Sequence, residues 1–202
     1  MKPKDTYLTL SNHSEGFYRE KGSKFLAFAF IVQNEDDVKA HLAELKKKYY
    51  DARHYCYAYI LGKRAEKFRS NDDGEPGHAA GDPILGQIKS KGLTNTLIVV
   101  IRYFGGTKLG ISGLINAYKT AAADAIGNNA VQENLILTHI KIRFEYPVLN
   151  QVMKLVKDHD LKIVSQKMDM SCEMTLGVRK TLSAAIDIKL KDLHEVMVMS
   201  RT

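Results

Sequence analysis

A strand that ends in an arginine and continues into a glycine-rich turn is the first candidate for chemistry in this sequence. Arg102 follows an apolar run, and the turn RYFGGTKLGIS leads into a helical pattern. Glycine permits backbone with positive φ, and the first N–H groups of a helix have no partner within it. Because the helix dipole stabilises an anion there, the segment predicts a phosphate or nucleic-acid site. Its candidate residues are Arg102, Gly105, Gly106, Lys108, Gly110 and Ser112.

The glycine spacing argues against a nucleotide-hydrolysing loop. Gly105 and Gly110 have the four-residue gap of a P-loop, but Ile111 and Ser112 stand where that motif requires Lys and then Ser or Thr. The segment does not match Gly-x-Gly-x-x-Gly either. Two interpretations stay open: an anion site, or a turn whose glycines serve only to reverse the chain.

Arg102 needs a negative partner, because alternation along the strand places it on the same face as the core residues Ile98 and Val100. Either a carboxylate holds it or an external anion does. Three acids in the segment SNDDGEP are the candidates, namely Asp72, Asp73 and Glu75. They could pair with Arg102, bind Mg²⁺, or form a polar turn with solvated charges.

The first part of the chain alternates strands and helices that position these residues. Residues 23–33 form a predicted strand, and Asn34 is the predicted cap of an amphipathic helix. A second strand is predicted over residues 52–62, and the apolar run 97–101 is typical of a central strand covered on both faces. The helix after the glycine turn ends at Gly127.

Beyond this helix the pattern changes to strand, helix, strand, strand, helix, strand. This order is the ferredoxin-like βαββαβ arrangement, so the chain is predicted to be an α+β protein with two domains. We expect the domains to be residues 1–133 and residues 134–202. If the second domain has a protein partner, its open sheet face is the expected surface.

Composition narrows the class of protein. The 202 residues include 45% apolar and 26% charged residues, which is ordinary for a folded chain. No long apolar run is present, so we expect a cytoplasmic protein that does not contact membranes. Cys56 and Cys172 form no Cys-x-x-Cys pair, and we expect them to be buried and reduced, with no bound metal or cofactor. The net charge of +7 favours an anionic partner.

The combination of RYFGGTKLG, ARHYCYAYILG and SNDDGEP resembles the YigZ/IMPACT family, specifically its bacterial two-domain members. The resemblance implies a first domain like the second domain of small-subunit ribosomal protein five and like domain four of elongation factor G. It implies a second domain like the ferredoxin-like fifth domain of that factor. It also implies translation-linked or RNA-binding roles. The residues that match the family pattern are Asp72, Asp73, Gly74, Glu75, Arg102, Gly105, Gly106, Leu109 and Gly110.

One segment departs from the family pattern. Where bacterial relatives usually have Pro-Ser-Gly-Thr-Ala-Gly and a basic residue, this chain has PGHAAGD over residues 76–82. Two hydroxyls and a positive charge are therefore missing from a second helix start, which favours the Arg102 side as the anion site.

Three hypotheses about function follow from the sequence. The first is a non-enzymatic RNA- or ribosome-associated protein that regulates translation and meets phosphates at Arg102 and residues 105–110. The second is an enzyme for a phosphorylated or anionic small molecule, with Asp72, Asp73 and Glu75 as metal or acid/base groups. The third is a protein-interaction module, which a large apolar patch on the second domain would favour.

Overall fold

The structure, a computed structural model, describes residues 5–202, which form two compact units. The larger unit comprises Tyr7–Asn134. The smaller unit comprises Leu135–Thr202 together with Asp5 and Thr6. Among the described residues, no helix has the length and apolar character needed to cross a membrane.

The larger unit consists mainly of an antiparallel sheet with helices on both faces. Its strands are β1 (Thr6–Leu10), β2 (Ser14–Glu20), β3 (Ser23–Ile31), β4 (His54–Leu61), β5 (Lys67–Asn71), β6 (Thr96–Tyr103) and β7 (Val131–Leu135). Its helices are α1 (Glu35–Lys48), α2 (Gly81–Ser90) and α3 (Gly110–Gly127). Five strands form the main sheet in the order β2-β3-β6-β4-β5, and β1 pairs with β7 in a separate two-stranded sheet.

Helix α1 begins where its sequence predicts. The Asn34 side chain accepts hydrogen bonds from the N–H groups of Asp36 and Asp37, both at 2.9 Å. Acidic residues occupy the first turn and lysines the last turn, which is the charge order that the helix dipole favours. The predicted cap is confirmed.

Strand β6 is the central strand of the main sheet, and every residue from Thr96 to Arg102 is buried. Its alternate residues pack into two cores: Ile98 and Val100 face α2 and α3, while Leu97, Val99 and Ile101 face α1. The prediction of a strand covered on both faces is therefore confirmed. The register places Arg102 between Phe25 of β3 and His54 of β4.

Strand β5 has no counterpart in the sequence prediction, and the region of β7 differs from it. Strand β5 has the polar sequence KFRSN and lies exposed at the sheet edge, so it lacks the apolar alternation that marks a half-buried strand. The pattern predicted for the second domain begins with a strand, and the structure divides this region between β7, which ends at Leu135, and β8, which begins at Leu137. Pairing with β1, rather than local pattern, determines where β7 lies.

The smaller unit has the predicted ferredoxin-like fold. Its elements are β8 (Leu137–Phe144), α4 (Leu149–Asp158), β9 (Lys162–Met168), β10 (Cys172–Arg179), α5 (Ser183–Asp192) and β11 (Met197–Arg201). The sheet order is β11-β8-β10-β9, with antiparallel neighbours throughout. Both helices contribute to the buried core on one face of this sheet. The α+β class, with an N-terminal β/α domain and a ferredoxin-like C-terminal domain, is confirmed.

Candidate functional site

Asp72 closes the start of helix α2. Its Oδ1 accepts hydrogen bonds from the N–H groups of Ala80 at 3.0 Å and Gly81 at 2.8 Å, and its Oδ2 accepts from the N–H of His78 at 2.9 Å. A carboxylate is therefore held where the helix dipole favours negative charge. The start of α2 already has an anion, supplied by the chain itself.

Asp73 fixes the loop to the beginning of β4. Its Oδ2 accepts a hydrogen bond from the N–H of Tyr55 at 2.7 Å, and its carbonyl oxygen lies 2.9 Å from Nδ1 of His54. The backbone at Asp73 has a φ of 42°, and Gly74 follows with a φ of 86°, so the chain reverses sharply here. The carboxylate of Asp73 thus has a structural partner.

Glu75 is the acid that pairs with Arg102. Its Oε1 accepts a hydrogen bond from Nη1 of Arg102 at 2.7 Å and another from the Tyr118 hydroxyl at 2.8 Å. The two charged side chains are 4% and 8% exposed, so this is a buried ion pair. Of the three options for the acids, the structure shows pairing for Glu75 and backbone contacts for Asp72 and Asp73.

The polar network continues from Tyr118 to Cys56. The Cys56 sulfur lies 3.3 Å from the Tyr118 hydroxyl oxygen and 3.0 Å from the carbonyl oxygen of Asp72. Burial raises the pKa of the Cys56 thiol well above its ordinary value, and burial likewise raises the pKa of Tyr118. Both groups therefore stay protonated near neutral pH, which leaves Cys56 without the thiolate that a nucleophile requires. Cys172 is also buried, as expected.

The guanidinium of Arg102 is only partly satisfied by Glu75. Its central carbon lies 5.7 Å from the ring centroid of Phe25 and 5.6 Å from that of Phe104, so it contacts two aromatic rings. Its Nε is buried, and no group within residues 5–202 hydrogen-bonds to it. The Nε–H of Arg102 is therefore an unused donor.

Arg102 also lines an open cleft at the end of β6. The cleft has a volume of about 410 Å³. Its lining comes from the segment before β4 and from the end of β6, and consists of Asp51, Ala52, Arg53, His54, Arg102, Tyr103 and Phe104. Apart from Asp51, the charged side chains are basic. We call this the Arg102 cleft.

Gly105 of the glycine turn packs closely against the turn between β2 and β3. The N–H of Gly105 donates to the Ser23 hydroxyl at 3.1 Å, and a Cβ at this position would lie only 1.9 Å from the carbonyl carbon of Gly22. Only glycine fits this approach between two turns. The N–H of Gly105 is also in use, so it is not a free donor for an anion.

The start of helix α3 is open. Gly106 and Gly110 have φ values of 88° and 73°, and within residues 5–202 no side-chain capping hydrogen bond is made at the N-cap residue Leu109. The first turn contains no acid. Lys108 and Ser112 are exposed, and within residues 5–202 neither side chain makes an ion pair or a hydrogen bond. The structure gives no contact between these two residues and Arg102.

The structure therefore divides the predicted site residues into groups. Arg102 and Glu75 meet directly, Asp72 and Asp73 hold the loop, Gly105 packs on a hairpin, and Lys108, Gly110 and Ser112 belong to the open helix start. Within the described part of the chain, no group of three or more His, Cys, Asp or Glu side chains is placed to hold a metal ion. The three acids do not converge on one ligand.

Sequence reasoning missed several residues that surround Arg102. Tyr118 is not among the predicted site residues, although its hydroxyl reaches Glu75. Arg53 and His54 enter the cleft because β4 begins beside the end of β6. A tyrosine within an otherwise aliphatic helix face is a usable signal for a buried polar partner. No local sequence pattern indicates the cleft itself.

The open sheet face of the smaller unit is charged. Glu173 of β10 pairs with Lys141 at 2.8 Å and with Arg143, both on the neighbouring strand β8. These hydrogen bonds and charges lower the pKa of Glu173 to about 2. The hypothesis of a protein-interaction surface here, which a large apolar patch would favour, gains no support from this ion-pair network.

Comparisons with known proteins agree with the family resemblance. Residues 21–126 match the model of the Impact N-terminal domain. The IMPACT family member YvyE of Bacillus subtilis is 32% identical over 73% of this chain and 68% of its own length. The IMPACT family member YigZ of Escherichia coli is 29% identical over 85% of each protein. A crystal structure of a hypothetical protein superimposes with a TM-score of 0.71 at 24% identity, over 98% of both chains, which supports the fold.

Proposed function

This chain belongs to the IMPACT family, and from that premise we propose that it is a non-enzymatic protein that binds RNA or the ribosome and regulates translation. The family resemblance implies translation-linked roles. Under the proposal, the ligand groups are phosphates, which meet the protein at the end of β6 and the start of α3. The net charge of +7 supports an anionic partner.

The observation that carries the proposal is the unsatisfied guanidinium of Arg102. A buried polar hydrogen without an acceptor costs about 1 to 3 kcal/mol, and more when the group is charged. Glu75 accepts from Nη1 only, while Nε has no partner within residues 5–202 and the side chain lines an open cleft. Because Nε is buried, a phosphate in the cleft reaches this donor only when the Arg102 side chain turns towards it; the phosphate oxygens then match the planar fork of the guanidinium.

The start of α3 supports the same proposal with a second set of donors. Its backbone N–H groups have no side-chain cap, and the exposed Lys108 and Ser112 make no side-chain hydrogen bond or ion pair within residues 5–202. A helix start stabilises a negative charge by about 0.3 to 1 kcal/mol at an exposed site. Under the proposal, different phosphates of one strand meet the two separate sets of donors.

The acids argue against the alternative of an enzyme. Asp72, Asp73 and Glu75 each have internal partners, so none of these three carboxylates is free to bind metal or to transfer protons in a shared site. The buried Cys56 is protonated because its pKa is raised. The geometry therefore favours binding over catalysis.

The test is the salt dependence of RNA and ribosome binding. Each phosphate contact to single-stranded nucleic acid contributes about −0.7 to the slope of log affinity against log salt. We expect Lys108→Ala to reduce the slope by about one contact. Lys91→Ala, which removes an exposed lysine next to the end of α2, should leave it unchanged.

Arg102 is tested with a variant that keeps its charge. Arg102→Lys retains a cation beside Glu75 but loses the planar fork, so we expect weaker binding in a chain whose circular dichroism is unchanged. A slope near zero for the natural protein, or no co-sedimentation with ribosomes or RNA at low salt, contradicts the proposal.

A further inference from the structure

A second depression adjoins the Arg102 cleft and has a different lining. It has a volume of about 760 Å³ and shares Asp51, Tyr103 and Phe104 with the cleft, so the two depressions adjoin at these residues. Its other lining residues come from the β2–β3 hairpin and the end of α1: Phe17, Arg19, Gly22, Lys24, Leu26 and Tyr49. We call this surface the aromatic–basic groove.

The charges in the groove are arranged for a negative partner. Arg19 of β2 lies directly opposite Lys24 of β3, and like charges at such positions destabilise a sheet. Both side chains are exposed, and within residues 5–202 neither makes an ion pair. The acid in the lining, Asp51, is already engaged as the acceptor of the Tyr103 hydroxyl at 2.7 Å. A chain of phosphates would relieve the repulsion between the two cations.

The aromatic rings in the groove are unusually exposed. Phe17 is 50% exposed and Phe104 is 58% exposed, although neither lies at a chain end. The Arg102 guanidinium lies against the Phe104 ring, 5.6 Å from its centroid, which holds the ring from one side. Exposed rings that alternate with unpaired cations are the pattern of surfaces that stack bases and bind the connecting phosphates.

We propose that the ligand is single-stranded RNA, which lies in the aromatic–basic groove with bases stacked on Phe104 and Phe17 and phosphates beside Arg19 and Lys24. This inference rests on the proposed function and adds the class of RNA. Bases within a duplex are already stacked on each other, so their faces cannot reach side chains on a sheet. A duplex would use the cations and leave both phenylalanine rings without a partner.

The experiment measures the fluorescence anisotropy of a labelled RNA of about 12 nucleotides, a length within the range that small single-strand-binding domains cover. The same RNA is tested alone and annealed to its complement. The variants are Phe17→Ala and Phe104→Ala, with Phe68→Ala as the matched control, because Phe68 is 57% exposed but lies on the edge strand β5. A second comparison uses the double variant Arg19→Ala/Lys24→Ala in the groove. Its control is the double variant Arg64→Ala/Lys91→Ala, which removes the same number of positive charges elsewhere.

We expect the single strand to bind more tightly than the duplex. Each groove phenylalanine variant should weaken the binding of the single strand about 5- to 150-fold. Phe68→Ala should have no effect, and the groove charge pair should lower the salt slope more than its control pair. If single strand and duplex bind equally, or if all three phenylalanine variants behave alike, the inference is overturned while the proposed function stands. Absence of binding to either RNA also overturns the inference, and if co-sedimentation with ribosomes at low salt is absent as well, the proposed function is overturned too.

Discussion

The starts of helices α2 and α3 differ in how their unpaired N–H groups are used. At α2, the Asp72 carboxylate accepts three backbone hydrogen bonds, and Asp82 adds a negative charge in the first turn. At α3, the first turn has no acid and no side-chain cap, and an exposed lysine precedes it. One chain therefore contains one helix start that is closed by its own carboxylate and one that is open.

This difference shows that a glycine-rich turn before a helix does not by itself make an anion site. Both helices begin after glycine-containing loops that match or adjoin the family pattern, yet an external anion at α2 would have to displace Asp72. The open start at α3 and the Arg102 cleft are what distinguish the proposed binding side.

The largest effect is expected from Glu75→Ala, in the loop that precedes α2. This change leaves the buried Arg102 without a counter-charge, and breaking such a pair costs about 3 to 5 kcal/mol in the free energy of unfolding. Urea unfolding followed by tyrosine fluorescence measures it, since nine of the ten tyrosines lie in the larger unit. Glu44→Ala, at an exposed acid of α1, should change the unfolding free energy by less than about 0.5 kcal/mol. Equal effects of the two variants would contradict a buried ion pair.

A smaller loss is expected from Asp72→Ala, which removes the acceptor for three N–H groups at the start of α2. Capping acceptors contribute about 0.5 to 2 kcal/mol, so we expect a value near the upper end. Asp72→Asn keeps one oxygen acceptor and should cost about half as much. Amide hydrogen exchange at Ala80 and Gly81 reports the change locally. Unchanged protection at these two amides would mean that Asp72 does not close the helix start.

Local pattern predicted much of the fold and less of the site. The run 97–101, the cap at Asn34 and the βαββαβ order all follow from periodicity and capping chemistry, and the structure confirms each. Strand β5 was missed because its sequence KFRSN is polar and its edge position depends on pairing with β4. Sequence pattern carries no information about such a pairing.

The choice of partner for Arg102 also required the three-dimensional structure. Asp72, Asp73 and Glu75 are close in sequence and chemically alike, so the sequence named all three. The N–H groups of α2 engage Asp72 and the N–H of Tyr55 engages Asp73, which leaves Glu75 to reach Arg102. The cleft depends on the register that places His54 beside Arg102, and this register follows from the sheet order.

The difference between the helix starts can be reversed by placing an acid at α3. Ile111 is in the first turn of α3 and is 60% exposed, so Ile111→Glu adds a charge without disturbing the core. We expect the unfolding free energy to rise by about 0.3 to 1 kcal/mol relative to Ile111→Gln, because the dipole favours the charge. Under the proposed function, RNA binding should weaken in the Glu variant only. Identical stability and binding of the two variants would show that α3 does not attract negative charge.

The smallest effect is expected at His78, which lies just before α2 and whose Nδ1 is 2.6 Å from Oδ2 of Asp82. The hydrogen bond to Asp82, and then its charge, raise the pKa of His78 above 6.5. A raised pKa in the folded state means that the pair stabilises the fold fully below pH 6.5 and loses this contribution as the pH rises through the folded-state value. NMR titration of the His78 ring should give a pKa above 6.5, and Asp82→Asn should lower it towards 6.5. Because the ring is exposed and the pair is screened by solvent, the change in stability should be small. If Asp82→Asn does not move the titration curve of His78, Asp82 supplies no negative charge to this end of α2.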